Sequence, residues 1–195
     1  MQRLDLAAVI LACSALCVAL AGPVLAGSSG AVSGALVLVE EQTLGADATV
    51  VTFSDLDGDE DGTYVLLGYF TNDSGSSSSL FLEPNGLATN QEYELCSVTE
   101  GTFAGATDTA GMLLTGINTA ENSTFFAWFH AQKTSGANRG AYSFETRDFG
   151  AADSRFRGLE SVWDETATNV TSIEIQSDVA DGINTSSTFK LFKLR

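Results

Sequence analysis

Between Asp55 and Gly62 the chain reads Asp-Leu-Asp-Gly-Asp-Glu-Asp-Gly, which puts five carboxylates into seven consecutive positions. A hard divalent cation takes several oxygen ligands converging on one turn, and calcium is the ion such a run suits. Asp57, Asp59 and Asp61 followed by Gly62 match the first, third, fifth and sixth positions of a helix-loop-helix calcium loop. The twelfth position falls on Gly68, where that loop carries a bidentate glutamate, and strand-like runs flank the segment on both sides. Two readings follow. One is a calcium site made by Asp57, Asp59 and Asp61 and completed by a carbonyl such as that of Thr63. The other is an acidic β-turn held open by repulsion among its carboxylates. Calcium is the one cofactor the sequence suggests.

Other residues able to do chemistry are sparse. His130, the single histidine, closes an aromatic run beside Phe126 and Trp128, and no Ser/His/Asp or Cys/His partner is recognisable. Glu92 and Glu94 lie two apart on one strand face, whereas glycosidase carboxylates usually flank a cleft from separate elements. Cys13 and Cys17 lie in an apolar run and Cys96 in a strand-like one, which leaves no zinc site. Tyr69, Trp128 and Trp163 offer rings that stack on sugar faces. The expectation is a protein without catalytic activity.

The chain has 195 residues, enough for one domain with an appendage. Hydrophobic residues make up 44%, which excludes global disorder, while 25 acids against 9 bases give a formal charge of −16. A nucleic-acid binder needs a basic face to neutralise phosphates, so no nucleic-acid partner is expected. Docking to an anionic membrane surface by charge is disfavoured for the same reason. Residues 1–132 hold one base, Arg3, against sixteen acids, and residues 133–195 hold eight bases against nine acids. Self-association is therefore expected to use apolar surface, with Lys133, Arg139, Arg147, Arg155, Arg157, Lys190, Lys193 and Arg195 pairing with acids of a neighbour.

The elements that position these residues read as strands. From Ala35 onward the hydrophobic period is two, with turn residues every ten or so positions. The runs are 35–40, 49–54, 63–71, 79–83, 92–99, 111–115, 124–132, 140–149, 156–163, 170–177 and 188–194. No helical stretch follows Gly22, and Pro84-Asn85-Gly86 carries strong turn chemistry. The expected fold is all-β: an antiparallel β-sandwich of jelly-roll type over residues 35–195. Residues 1–26 form an apolar helical segment, either a cleaved signal or an attachment arm, joined by the small-residue linker 27–34. Tyr64–Leu67 and Phe125–Phe129 are apolar on both faces, so their second faces meet either a loop of the same chain or another subunit.

Several of these runs, in this order, resemble tailed-bacteriophage virion structural proteins. Leu56 to Gly68 is similar to the pattern LDGxxDGxYLLxG of those proteins, and Leu82-Glu83-Pro84-Asn85-Gly86 to the turn that follows it. Phe126 to Ala131 resembles their aromatic central strand ending in H-A. Asn169 to Ile173, Ser177 to Ala180 and Phe189 to Lys193 resemble their closing motifs. The resemblance spans residues 36–195 and implies a β-sandwich displayed on a virion as a tail, fibre or decoration component, with no catalytic residues. Its partners would be copies of itself and other virion proteins, and residues 1–34 would attach or order the subunit. The competing class is a secreted carbohydrate-binding or adhesive module, extracellular after cleavage of a signal and directed at cell-surface glycan. The signal-like N-terminus and Tyr69, Trp128 and Trp163 support that class.

Overall fold

The computed structural model describes residues 35–89, 91–99, 102–108, 111–132, 138–148 and 154–195. The expectations for residues 1–34, and those for the side chains of Glu92, Glu94 and Cys96, lie outside the described residues.

The body is all-β. In chain order it runs β1 (Leu36–Thr43), β2 (Val50–Phe53), the single-turn helix α1 (Gly58–Asp61), β3 (Thr63–Asn72), β4 (Ser78–Pro84), β5 (Gln91–Thr99) and β6 (Thr102–Asp108). It continues with β7 (Met112–Ile117), β8 (Glu121–His130), β9 (Arg139–Asp148), β10 (Ser154–Trp163), β11 (Ile173–Ser177) and β12 (Thr188–Leu194). Each run with period two yields a strand. Two elements differ from the expectation. β6 (TFAGATD) has a single large apolar residue and so no alternation to read. α1 exists because Asp57 caps it, its carboxylate accepting from the Glu60 N–H.

Two antiparallel sheets result, one of eight strands in the order β1-β12-β3-β8-β9-β10-β5-β6 and one of four in the order β2-β11-β4-β7. They share one apolar core, to which the large sheet gives Tyr64, Leu66, Phe125, Phe129 and Phe189 and the small one Phe53, Leu80, Leu82 and Ile173. Burying each such side chain contributes about 1.5–3 kcal/mol. Alternation assigns the faces: in β8, Phe125, Ala127 and Phe129 are buried on the core side, while Thr124, Phe126 and Trp128 point away from it. Gly68 sits where a Cβ would come within 2.2 Å of the Phe125 ring, so the ring occupies the place of the missing side chain.

On β9 and β10 the alternation does not sort apolar from polar, since Ala141, Leu159 and Trp163 are buried beside polar side chains. Tyr142, Phe144 and Phe156 stand exposed, while Arg139, Ser143, Glu145, Arg147, Arg157 and Ser161 are buried. Glu145 is fully covered and accepts from the Nε atoms of Arg147, at 3.2 Å, and Arg157. Its other oxygen accepts from the Gly116 N–H at 3.2 Å, and Arg157 Nη2 donates to the Gly116 carbonyl at 2.8 Å. Arg139 donates to the Thr168 carbonyl at 2.6 Å and lies over the Trp163 ring, 4.9 Å from its centroid. The expectation that these arginines pair with a neighbour's acids is thus corrected for three of them. Arg139, Arg147 and Arg157 face the interior, where β7 touches β9 and β10. Lys190 and Lys193 also pair within the chain, with Glu41 at 3.1 Å and Asp61 at 2.6 Å.

Two measurements check this electrostatic arrangement. Glu145→Gln leaves two buried guanidiniums without their shared carboxylate and is expected to cost about 3–5 kcal/mol in urea unfolding. On the other sheet Glu83 is buried directly across from Glu174, and burial, then the Glu174 charge, raises its pKa above the ordinary value near 4.5. A carboxyl whose folded pKa is raised binds its proton more tightly folded than unfolded. The fold is then most favoured below the unfolded pKa and loses that contribution as pH climbs through the raised one. Glu83→Gln is accordingly expected to raise stability at neutral pH by up to about 1 kcal/mol, with the gain vanishing below about pH 4. Thermal melts of both proteins from pH 3 to pH 8 read this directly; a gain that persists at pH 3 would contradict it.

Candidate functional site

The acidic run folds into a turn whose groups are taken up by the chain itself. Asp57 Oδ1 accepts from the Glu60 N–H at 3.3 Å and from Asn169 Nδ2 at 3.0 Å. Asn169 Oδ1 in turn accepts from the Asp59 N–H at 3.0 Å. The Leu56 and Gly58 N–H groups donate to the Thr171 and Val170 carbonyls at 3.0 and 2.9 Å. A Cβ on Gly58 would lie 2.8 Å from the Val170 Cβ, so this close approach of two backbones requires glycine. Asp61 accepts from the Tyr64 hydroxyl at 2.8 Å and from Lys193 Nζ at 2.6 Å. Burial, together with the Asp61 hydrogen bond and charge, pushes the Tyr64 hydroxyl well above its ordinary pKa and keeps it a donor.

Two more segments close on the same place. Asn85 and Gly86 hold φ values of 56° and 66°, and the Leu87 N–H donates to the Pro84 carbonyl at 3.1 Å, the arrangement of an Asn-Gly tight turn. Asn85 Oδ1 accepts from the Thr171 N–H at 2.8 Å, the Ser172 N–H at 3.2 Å and the Thr171 hydroxyl at 3.3 Å. Its Nδ2 donates to the Asn169 carbonyl at 2.9 Å. The Ala131 and Gln132 N–H groups donate to the Gly62 carbonyl at 2.9 and 3.1 Å. Four stretches that the sequence shows only as separate motifs therefore meet in one hydrogen-bonded knot.

Of the two readings of the acidic run, this geometry has the features of the turn. Asp57 and Asp61 are committed as acceptors to different partners, and among the described residues no group of three or more His, Cys, Asp or Glu is arranged to hold a metal. Asp57, Asp59 and Asp61 act as structural members of the knot. His130 stands at its edge, exposed, with Nδ1 3.1 Å from the Thr63 hydroxyl.

The three rings expected to stack on sugars are separated. Trp163 is fully buried beneath Arg139, on the core side of β10, and is closed to an external ligand. Tyr69 and Trp128 share the outer face of the eight-stranded sheet but not one level of it. Trp128 pairs with Val65, four residues from Tyr69 along β3, which is about 13 Å. That face carries what composition alone does not reveal. At the level of Val65 it runs Phe192, Val65, Trp128, Tyr142 and Glu160; at the next, Lys190, Leu67, Phe126, Phe144 and Gly158; at the third, Thr188, Tyr69, Thr124, Thr146 and Phe156. Of the ten large apolar side chains that stand exposed among the described residues, seven lie on this face: Leu36, Leu38, Leu67, Tyr69, Tyr142, Phe144 and Phe156. Phe144 and Phe156 stack with centroids 6.0 Å apart, and the side chains border a groove of about 680 Å³.

Comparison with protein-family models, with curated proteins and with solved structures gives no match.

The knot makes its own prediction. Asn85→Ala removes three accepted hydrogen bonds and puts alanine at positive φ, and is expected to lower stability by about 2–3 kcal/mol. Asn85→Gly relieves the backbone cost while losing the same bonds, so its melting temperature is expected to fall between the two. Equal melting of all three proteins would mean that the turn holds without its side chain.

Proposed function

We propose that this chain is a non-enzymatic structural protein of a phage particle, a tail, fibre or decoration component whose body is a jelly-roll β-sandwich. The strand order supports the fold. Leaving out the hairpins β5–β6 and β9–β10, the chain alternates between sheets and gives β1-β12-β3-β8 against β2-β11-β4-β7. That is the order of two interlocked Greek keys, an architecture of viral capsid and lectin domains. The hairpins then extend one sheet beyond the opposite one.

The observation that carries the functional reading is the meeting of the motifs. The pieces similar to virion proteins lie up to 112 residues apart, between Asp57 and Asn169, and come together in one knot. There their side chains and backbones hold loops together. A likeness in residues of this kind favours a shared architecture displayed on a particle over a shared reaction. Purified particles analysed by mass spectrometry are expected to contain this chain in many copies; its absence would overturn the reading.

A second reading, a secreted carbohydrate-binding module, is favoured by one feature. Trp128 and Tyr142 lie side by side on paired strands, and the Tyr142 hydroxyl donates to Glu160 at 3.4 Å. Two rings beside a carboxylate acceptor suit a sugar ring. A mature chain starting at Gly27 on N-terminal sequencing, together with retention on immobilised glycan, would favour it.

A further inference from the structure

The outer face of the eight-stranded sheet combines two properties that a solvent-facing surface does not need. It is apolar across β3, β8, β9 and β10. On β9 and β10 the inner positions mix polar side chains with Ala141, Leu159 and Trp163, and the large aromatic residues Tyr142, Phe144 and Phe156 stand outward. The usual patterning puts apolar residues toward whatever excludes water, and here that direction includes the outward one. The other outer surface, on the four-stranded sheet, is mixed: Thr52, Glu83, Glu174 and Gln176 lie in neighbouring positions beside Val50 and Phe81.

We propose that the apolar face is the contact of a two-fold homodimer, in which a second copy of this chain packs the same face against it. The choice of occupant rests on the charge pattern. In a chain of net charge −16 the middle of this face is uncharged, with Lys190, paired to Glu41 of β1, on its β12 flank and Glu160 on its β10 flank. A two-fold contact must be self-complementary. An axis lying in the interface along β8 exchanges the flanks. Lys190 of one copy then lies over Gly158 of the other, where the missing side chain leaves room for its stem, and its ammonium reaches toward Glu160. Leu67 falls on Phe144, and Phe126 meets its own equivalent. The Lys190–Glu41 pair within one copy is exposed, so exchanging it costs little. Aligned packing of two twisted sheets at about 10 Å accommodates this arrangement.

The pairing deepens the structural-protein reading and rests on it for the idea that assembly is the task. Sedimentation of the full chain from nanomolar to tens of micromolar concentration, with tryptophan emission recorded in parallel, tests it. The chain has two tryptophans, and Trp163 is already fully buried, so any change in emission with concentration reports Trp128. A dimer is expected whose formation shifts emission to shorter wavelength. Phe144→Asp should weaken it by about 30-fold or more, as for a central aromatic anchor. Phe144 is 46% exposed, so folding should be spared; if a melt shows otherwise, Leu67→Asp, at 40% exposure, replaces it. A monomer at every concentration overturns the proposal. So does an assembly that both substitutions leave intact with constant emission, since its contact lies elsewhere. A trimer overturns the two-fold arrangement. A monomer found in particles would sink the pairing and leave the proposed function standing, and a dimer absent from particles would do the reverse.

Discussion

Four strands cannot cover eight. At about 4.8 Å between neighbours, the large sheet is about 34 Å wide and the small one about 14 Å. β7, at the edge of the small sheet, touches β8, β9, β10 and β5, so the edge of the cover falls over β9 and β10. The composition of the interior follows. Where both sheets are present the core is Phe, Leu, Ile and Val from both sides. Where the cover runs out, the inner positions of β9 and β10 include Arg139, Ser143, Glu145, Arg147, Arg157 and Ser161. Glu145 and the backbone of Gly116 take up Arg147 and Arg157, the Ser143 hydroxyl donates to β7 carbonyls, and Arg139 donates to the Thr168 carbonyl while lying over the Trp163 ring.

The knot of loops solves a different problem: holding long connections in place without adding core. α1 is one turn long and has no apolar face to anchor it, so it is held by its backbone, through Leu56, Gly58 and Gly62, and by Asn169. Asparagine suits the role because its side chain donates and accepts at once. Asn85 and Asn169 each bridge two segments in this way. The acids of the turn divide between capping, pairing with Lys193 and facing water, which limits the repulsion that five carboxylates in seven positions would otherwise impose.

Strand positions were legible in the sequence because a half-buried strand writes its period directly, as in Ile173 and Ile175 against Glu174 and Gln176. The Asn85-Gly86 turn was legible for a similarly local reason, since positive φ selects those residues. Direction was not legible. Period two says that alternate residues share a face, not which face looks inward, and on β9 and β10 large apolar residues stand on both faces, so the rule of apolar inside does not decide. The fate of Trp163 turns on the same point, because its side is settled by pairing with Arg139 across β9 and not by anything within Phe156–Trp163. The acidic turn resembles a metal loop because carboxylates at every second position serve a cation and a cap equally well. The cap's partner, Asn169, lies 112 residues away and leaves no local mark in the run.

Charge and apolar surface divide the molecule between them. The small sheet's outer positions include Glu83 and Glu174, and burial first and the Glu174 charge second raise the pKa of Glu83, so that side tolerates a cost that a neutral side chain would avoid. The opposite side keeps charge to its flanks. A chain with one apolar face and an acidic remainder can associate once and then stop, because the surface left after pairing repels further copies. An even spread of the same residues would give weak contacts in every direction and no closed assembly. The inward placement of polar side chains on β9 and β10 is what keeps the two surfaces distinct, since it moves three arginines and a glutamate off the apolar side and into the interior, where the narrow sheet leaves space for them.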